Sequence, residues 1–116
     1  ERGRWAIDFH TRLDPPQAIK LAKLIEDLDP LFCEDLVRSE NVSYYEQIRS
    51  QVSVPIAAGE QYGTRWDCLE LWEKNLIDFA RQTLPNTGGI TEMKKIMSLL
   101  EAHYIGLIVH ARVARR

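Results

Sequence analysis

At 116 residues, with 45% hydrophobic and 28% charged residues, the chain has the composition of one globular domain with a core and carries no disordered or low-complexity tract. It is too short for a closed eight-stranded α/β barrel, which typically needs about 250 residues. A net charge of −2 gives no general attraction for nucleic acid; no apolar run approaches the roughly 20 residues of a membrane span and no signal-peptide pattern opens the chain, so a cytoplasmic setting is expected.

In chain order, Arg4 to His10 reads as a strand ending on Asp8-Phe9-His10, where alternation puts Asp8 and His10 on one face. Asp14 starts a helix, with Pro15 at its first position, Gln17 as capping-box partner, and Ala18, Leu21, Ala22, Ile25 and Leu28 as the apolar stripe. Asp29-Pro30 breaks that helix. Leu31-Phe32-Cys33 is then a short strand buried on both faces, delivering Glu34 and Asp35 to its end, with alternation turning Asp35 away from the direction of Glu34. Ser43-Tyr44-Tyr45-Glu46 has the capping-box form and opens a second helix with Tyr45, Ile48 and Val52 inward.

Val54 to Ala58 is the third strand, and Gly59 lets the backbone turn tightly before Glu60. Thr64 caps a third helix that carries Trp66, Leu69 and Trp72 on one side, as core rather than ligand platform, and Asn75 ends it. Leu76 to Ala80 is the fourth strand. Gly88-Gly89 precede a helix with Met93, Ile96, Met97 and Leu100; the pair fits an anion at the helix N-terminus and fits a tight turn equally well. Tyr104 to Val109 is the fifth strand and ends at His110, while His103 is an ordinary helix-end histidine. Cys33 and Cys68 lack metal or redox spacing and are expected as buried thiols; Arg112, Arg115 and Arg116 form a small basic tail that reads as a solvated end.

Asp8, Glu34 and Glu60 are evenly spaced, each closing a strand-like run, and a period of about 26 residues fits one strand plus one crossover helix of a parallel sheet. An isolated acid in such a place ordinarily caps the following helix or sits in solvent. Three in phase fall together at the carboxyl ends of neighbouring strands, where a parallel barrel carries its active site, and oxygen donors without thiolate suit a hard cation such as magnesium. His110 ends a strand nearly two repeats after Glu60, so His10 and His110 flank that centre from two strands, a geometry for acid–base chemistry on one substrate.

Asp8-Phe9-His10 with Arg12, Glu34-Asp35, Pro55-Ile56-Ala57-Ala58-Gly59-Glu60, Gly88-Gly89-Ile90-Thr91-Glu92 and His110 together resemble the enolase superfamily, in its mandelate-racemase-like branch and closest to the galactonate-dehydratase-like sugar-acid dehydratases. The resemblance implies part of a TIM-type (β/α) barrel, about strands three to seven with their helices, so that residues 1–116 form a partial barrel domain without the N-terminal capping domain. It implies Mg²⁺ held by Asp8, Glu34 and Glu60, His110 as the base that takes the α-proton, and His10 as the acid that helps the β-hydroxyl leave. The reaction so implied is dehydration of an aldonic acid through a metal-stabilised ene-diolate, giving a 2-keto-3-deoxy acid.

Thr83 stands where the family usually has an Asp against the strand-seven histidine. A neutral hydroxyl can orient an imidazole without stabilising imidazolium as a carboxylate does. Leu36 stands where a proline is common. Two alternatives stay open: a catalytically silent barrel fragment that acts by association, and a racemase or epimerase sharing the same ene-diolate. Expected partners are a small sugar acid and either further copies of the chain or the missing barrel parts, with neither nucleic acid nor membrane.

Overall fold

The computed structural model describes residues 3–111; the basic tail at Arg112, Arg115 and Arg116 lies outside the described residues. Five short strands, β1 (Ile7–Asp8), β2 (Cys33–Glu34), β3 (Ile56–Ala58), β4 (Phe79–Ala80) and β5 (Gly106–Leu107), form one sheet in the order β1-β2-β3-β4-β5. Every pair is parallel. Parallel neighbours need a crossover, and each is a helix: α1 (Pro15–Ile25), α2 (Tyr44–Arg49), α3 (Arg65–Glu73) and α4 (Ile90–Ala102). The result is the α/β arc expected from the sequence, with spatial order equal to chain order.

The regular strands are shorter than the apolar runs that announce them, because single bonds carry the pairing past both ends. Leu31 N–H donates to the Trp5 carbonyl at 2.8 Å before β2, and Thr11 N–H donates to the Asp35 carbonyl at 2.8 Å after β1. At the far side, His110 N–H donates to the Gln82 carbonyl at 2.9 Å.

The core lies between sheet and helices, where Ala18, Ala22, Leu36, Ile48, Ile56, Leu71, Trp72, Ile96 and Leu100 are all buried. Each fully buried large aliphatic contributes about 1.5–3 kcal/mol relative to an exposed one. Several stripe assignments shift. In α1, Ile19 is buried while Leu21 is exposed, as is Leu28 in the 3-10 turn Glu26–Leu28 that follows, and in α4 Met97 is exposed. In α3 the buried residues are Cys68, Leu71 and Trp72, whereas Trp66 is turned to the surface with the Arg65 guanidinium 4.4 Å from its ring. One helix row faces the sheet and the adjacent row faces solvent, so a stripe placed one residue off selects the wrong partners.

Capping differs in the same local way. Thr64 is extended, and its hydroxyl and backbone N–H are both within reach of the Asp67 carboxylate, so it caps as expected. Ser43 has helical backbone angles (φ −64, ψ −19) and its hydroxyl bonds Asn41 Oδ1 at 2.6 Å, so the S-x-x-E pattern makes no capping box.

The end of the sheet where strands begin is tied by a bidentate ion pair. Arg49 Nη1 and Nη2 donate to Asp78 at 2.6 and 2.8 Å, and Asp78 also accepts the Ile56 N–H at 2.8 Å. The opposite end, where strands finish, gathers the chemistry.

Candidate metal centre and acid–base pair

Asp8 and Glu34 are the last residues of β1 and β2 and face each other in register, but Glu34 pairs onward with Ala57 rather than Glu60. The equal spacing of the three acids is therefore not equal phase. Glu60 lies three residues past Ala57, brought back to the strand ends by a turn at Gly59, whose φ is +146. Glycine is required there, since a Cβ would stand 2.6 Å from Gln82 Nε2 and 2.9 Å from the Arg81 backbone nitrogen.

Left-handed backbone does similar work at the other strand ends. His10, Thr11 and Asp35 have φ of 50, 58 and 47, values that cost non-glycine residues free energy and cluster at functional sites. His10 thus reaches the site through a turn rather than through strand alternation, with its own N–H donating to Asp8 Oδ1 at 2.7 Å. Asp35, expected to point away from Glu34, is re-aimed by the same device and is buried beside it.

Glu60 is the centre of the arrangement. His10 Nδ1 lies 3.1 Å from its Oε1 and His110 Nε2 lies 2.6 Å from its Oε2. Gln61 Nε2 donates to Oε1 at 3.1 Å, and Asn86 Nδ2 donates to the Glu60 carbonyl at 3.0 Å. Thr83 Oγ1 sits 3.3 Å from His110 Nδ1 and 3.5 Å from the same carbonyl. Thr83 and His110 are also bridged through the backbone, so the threonine is placed to orient the ring. Glu34 is held by Arg81 Nε at 2.8 Å.

Among the described residues, carboxylate and imidazole side chains with ligand atoms within 4.8 Å of one another fall into two groups, Asp8–His10–Asp35 and Glu34–Asp35–Glu60. Asp8, Glu34 and Glu60 are thus brought to one end of the sheet but divided between two groups, and Asp35 is common to both. Burial raises the Asp35 carboxyl from 3.8 to about 7, with Glu34, Glu60 and Asp8 adding to the effect in that order and the Gly59 backbone amide opposing it. Asp35 Oδ2 has no hydrogen-bond partner. Convergent carboxylates, a single guanidinium among them, and an unsatisfied buried oxygen are a donor set that fits a hard divalent cation.

Asp8, His10, Glu60, Gln61, Thr83, Asn86 and His110 line a cavity of about 370 Å³, in the range of small-molecule sites. Larger clefts of about 530 and 580 Å³ run along α4 with mainly apolar walls, and one of about 420 Å³ has polar walls with Glu40 and Asp67 but no histidine; the cavity that joins both histidines to Glu60 is the one with chemistry. Cys33 and Cys68 are free and buried, and burial pushes their thiols up to about 11 and about 12. Neither is a nucleophile near neutral pH.

Sequence reasoning passed over Arg81, Gln61, Asn86 and the role of Asp35. Arg81 has a signal: it follows Ala80 directly at the end of β4, just past the strand-end position that Asp8 and Glu34 hold on β1 and β2.

Residues 1–115 match the enolase C-terminal domain-like family. A D-galactonate dehydratase family member from Streptomyces bingchenggensis is 37% identical over 103 residues, covering 89% of this chain and 25% of the relative. A D-mannonate dehydratase from Caulobacter sp. (strain K31) is 38% identical over 98 residues, covering 84% of this chain and 24% of its own length. Among solved structures, an enolase from Pantoea ananatis with bound D-gluconate and Mg superposes with a TM-score of 0.90 at 34% identity, covering 93% of this chain and 26% of that one. The chain spans about a quarter of the length of these relatives. With the parallel arc, the acids gathered at its strand ends and a match along nearly its whole length, the chain belongs to the enolase C-terminal domain-like family.

Proposed function

We propose that the chain carries the metal and acid–base part of a Mg²⁺-dependent dehydratase acting on an aldonic acid such as galactonate. The observation that carries this reading is the placement of His10 and His110, from opposite edges of the arc, on the two oxygens of one carboxylate. Relatives named as galactonate and mannonate dehydratases support the sugar-acid class.

Asp8, Glu34 and Glu60 would hold Mg²⁺, which when bound supplies a Lewis acid for the substrate carboxylate and for the charge that grows on it. His110 takes the α-proton at Nε2, while Thr83 occupies its Nδ1 side and fixes the ring. His10, more exposed, gives a proton to the departing β-hydroxyl, which leaves as water. The enol that remains tautomerises to the 2-keto-3-deoxy acid. Asn86 and Gln61 keep the Glu60 segment from swinging as the histidines change partners.

The test is to incubate the chain with Mg²⁺ and a panel of aldonic acids and to measure 2-keto-3-deoxy acid. Mg²⁺-dependent product that is lost in His110→Asn is expected. Intact Mg²⁺ binding with no product from any acid refutes turnover by this chain. That result favours a silent arc acting by association with further barrel strands or with its own copies, a reading supported by β1 and β5 each having one strand partner among the described residues. Deuterium entering from solvent at the α-carbon without water loss selects a racemase or epimerase instead. Among the described residues no helix is long and apolar enough to cross a membrane.

A further inference from the structure

We propose that Asp35 is a fourth carboxylate of the cation site, its buried Oδ2 facing the ion and drawing the two separate ligand groups onto one centre. The proposal rests on the reading that Asp8, Glu34 and Glu60 bind Mg²⁺, and it assigns a function to a residue outside that triad.

Three independent features carry it. Asp35 is 3% exposed, yet its Oδ2 has no hydrogen-bond partner. A buried carboxylate oxygen left unsatisfied is destabilising, so such an atom calls for a ligand. Its position is also singular: Asp35 is the one residue present in both Asp8–His10–Asp35 and Glu34–Asp35–Glu60. A cation seated against Asp35 is thereby within reach of acids from β1, β2 and the β3 turn. Finally, the backbone is held in a left-handed conformation (φ 47) that points the side chain toward Glu34 instead of away from it. The Asp35 N–H donates to the Ala57 carbonyl at 2.9 Å and its carbonyl accepts from Thr11 at 2.8 Å, so both neighbouring segments hold that turn in place.

A structural role alone does not account for these features. A carboxylate retained to stabilise the fold would pair both oxygens or face a cation of the protein, whereas the Arg81 guanidinium is spent on Glu34. Even groups one step further from a metal than this oxygen typically account for about 10–100-fold in metal affinity, which sets the scale expected for Asp35.

The experiment titrates Mg²⁺ calorimetrically into the full chain and into Asp35→Asn, Asp35→Ala and Glu60→Gln, and follows thermal unfolding of each with and without Mg²⁺. Asparagine keeps the shape and one acceptor while removing the charge. Asp35→Asn is expected to lose about 10–100-fold in Mg²⁺ affinity and to melt, without Mg²⁺, no lower than the wild type. Mg²⁺ affinity of Asp35→Asn within twofold of wild type overturns the proposal, as does a metal-free Asp35→Asn that is destabilised as much as Asp35→Ala. If the wild type binds and Glu60→Gln does not while Asp35→Asn is unaffected, the triad reading stands and this one fails. If the wild type itself binds no Mg²⁺, both fail.

Discussion

Replacing Gly59 with alanine tests whether the turn that delivers Glu60 is set by space as well as by backbone conformation. The new Cβ would meet Gln82 Nε2 at 2.6 Å, the Arg81 nitrogen at 2.9 Å and the Arg81 carbonyl carbon at 3.1 Å. Gln82 is fully buried and its Nε2 contacts Cys68 Sγ at 3.5 Å, so the amide cannot swing into solvent. Arg81 N–H is the donor to the Ala58 carbonyl at 2.9 Å, so moving that backbone loosens the β3–β4 ladder. Overpacking of this kind costs about 1–3 kcal/mol. The positive φ adds about 1–3 kcal/mol of backbone strain.

Gly88→Ala separates the two contributions, because Gly88 has φ +91 with nothing within 4 Å of an added Cβ. It should show the backbone cost alone. Equilibrium urea unfolding by far-UV circular dichroism is expected to place Gly59→Ala about 1–3 kcal/mol below Gly88→Ala, a sizeable share of the roughly 5–15 kcal/mol that typically holds a domain together. Gly59→Ala should also weaken Mg²⁺ binding, which Gly88→Ala should not. Equal destabilisation by the two variants, with Mg²⁺ affinity unchanged in both, would show that Gly59 is not pressed against β4 and that Glu60 is not placed by it.

In the candidate site, His110→Asn should abolish solvent deuterium exchange at the substrate α-carbon, while His10→Asn should retain exchange and slow water loss by about 10²–10⁴-fold; NMR of the reaction in D2O reads both, and equal loss of exchange in the two variants refutes the division of roles. Thr83→Val removes the hydroxyl beside His110 Nδ1 and should lower exchange by the worth of one hydrogen bond, about 0.5–1.5 kcal/mol, with Mg²⁺ affinity unchanged by calorimetry. At the other end of the sheet, Asp78→Ala leaves Arg49 and the Ile56 N–H without their acceptor and should cost about 1–3 kcal/mol in urea unfolding, more than Arg49→Ala and without effect on Mg²⁺ binding. Because burial keeps both thiols protonated, Cys33 and Cys68 should resist iodoacetamide at pH 8 until the chain unfolds; rapid labelling of the native chain, read by mass spectrometry, would contradict their burial.

The strand order and the end of the sheet that carries the acids were legible because every strand but β4 announces itself twice, by an apolar run and by an acid or histidine at or soon after its end. Asp8, Glu34 and His110 stand at or just past strand ends for that reason. The register was not legible. Even spacing in sequence equates Glu60 with Glu34, whereas the hydrogen-bond ladder pairs Glu34 with Ala57 and leaves Glu60 to a turn. Alternation likewise holds only inside a strand, and the left-handed residues at His10 and Asp35 end it, so a parity rule applied one residue too far turned Asp35 outward. The clasp of both histidines on Glu60 joins residues far apart in the chain and depends on that register, which no local pattern records.

The non-glycine residues with positive φ divide by end of the sheet, and the division says how the fold carries its costs. Asp29, Asn75 and Tyr104 lie where helical segments end before the next strand. There a left-handed residue closes the last helical turn, as Asp29 N–H does to the Glu26 carbonyl at 3.0 Å, and so has a local structural return. His10, Thr11 and Asp35 end no helix. Thr11, being β-branched, is especially costly in this conformation, and near it Asp35 is raised to about 7, first by burial and then by the carboxylates around it. The start of the strands supplies the compensation, with Asp78 saturated by Arg49 and Ile56. Backbone strain and a buried carboxylate oxygen without a partner at one end, a fully satisfied ion pair at the other, match the division in parallel barrels between a face that carries stability and a face that carries chemistry. It follows that neutralising Asp35 without the cation should stabilise the metal-free chain, while the same change at Asp78 should weaken it. Two carboxylates in one sheet, given the same substitution, should move stability in opposite directions.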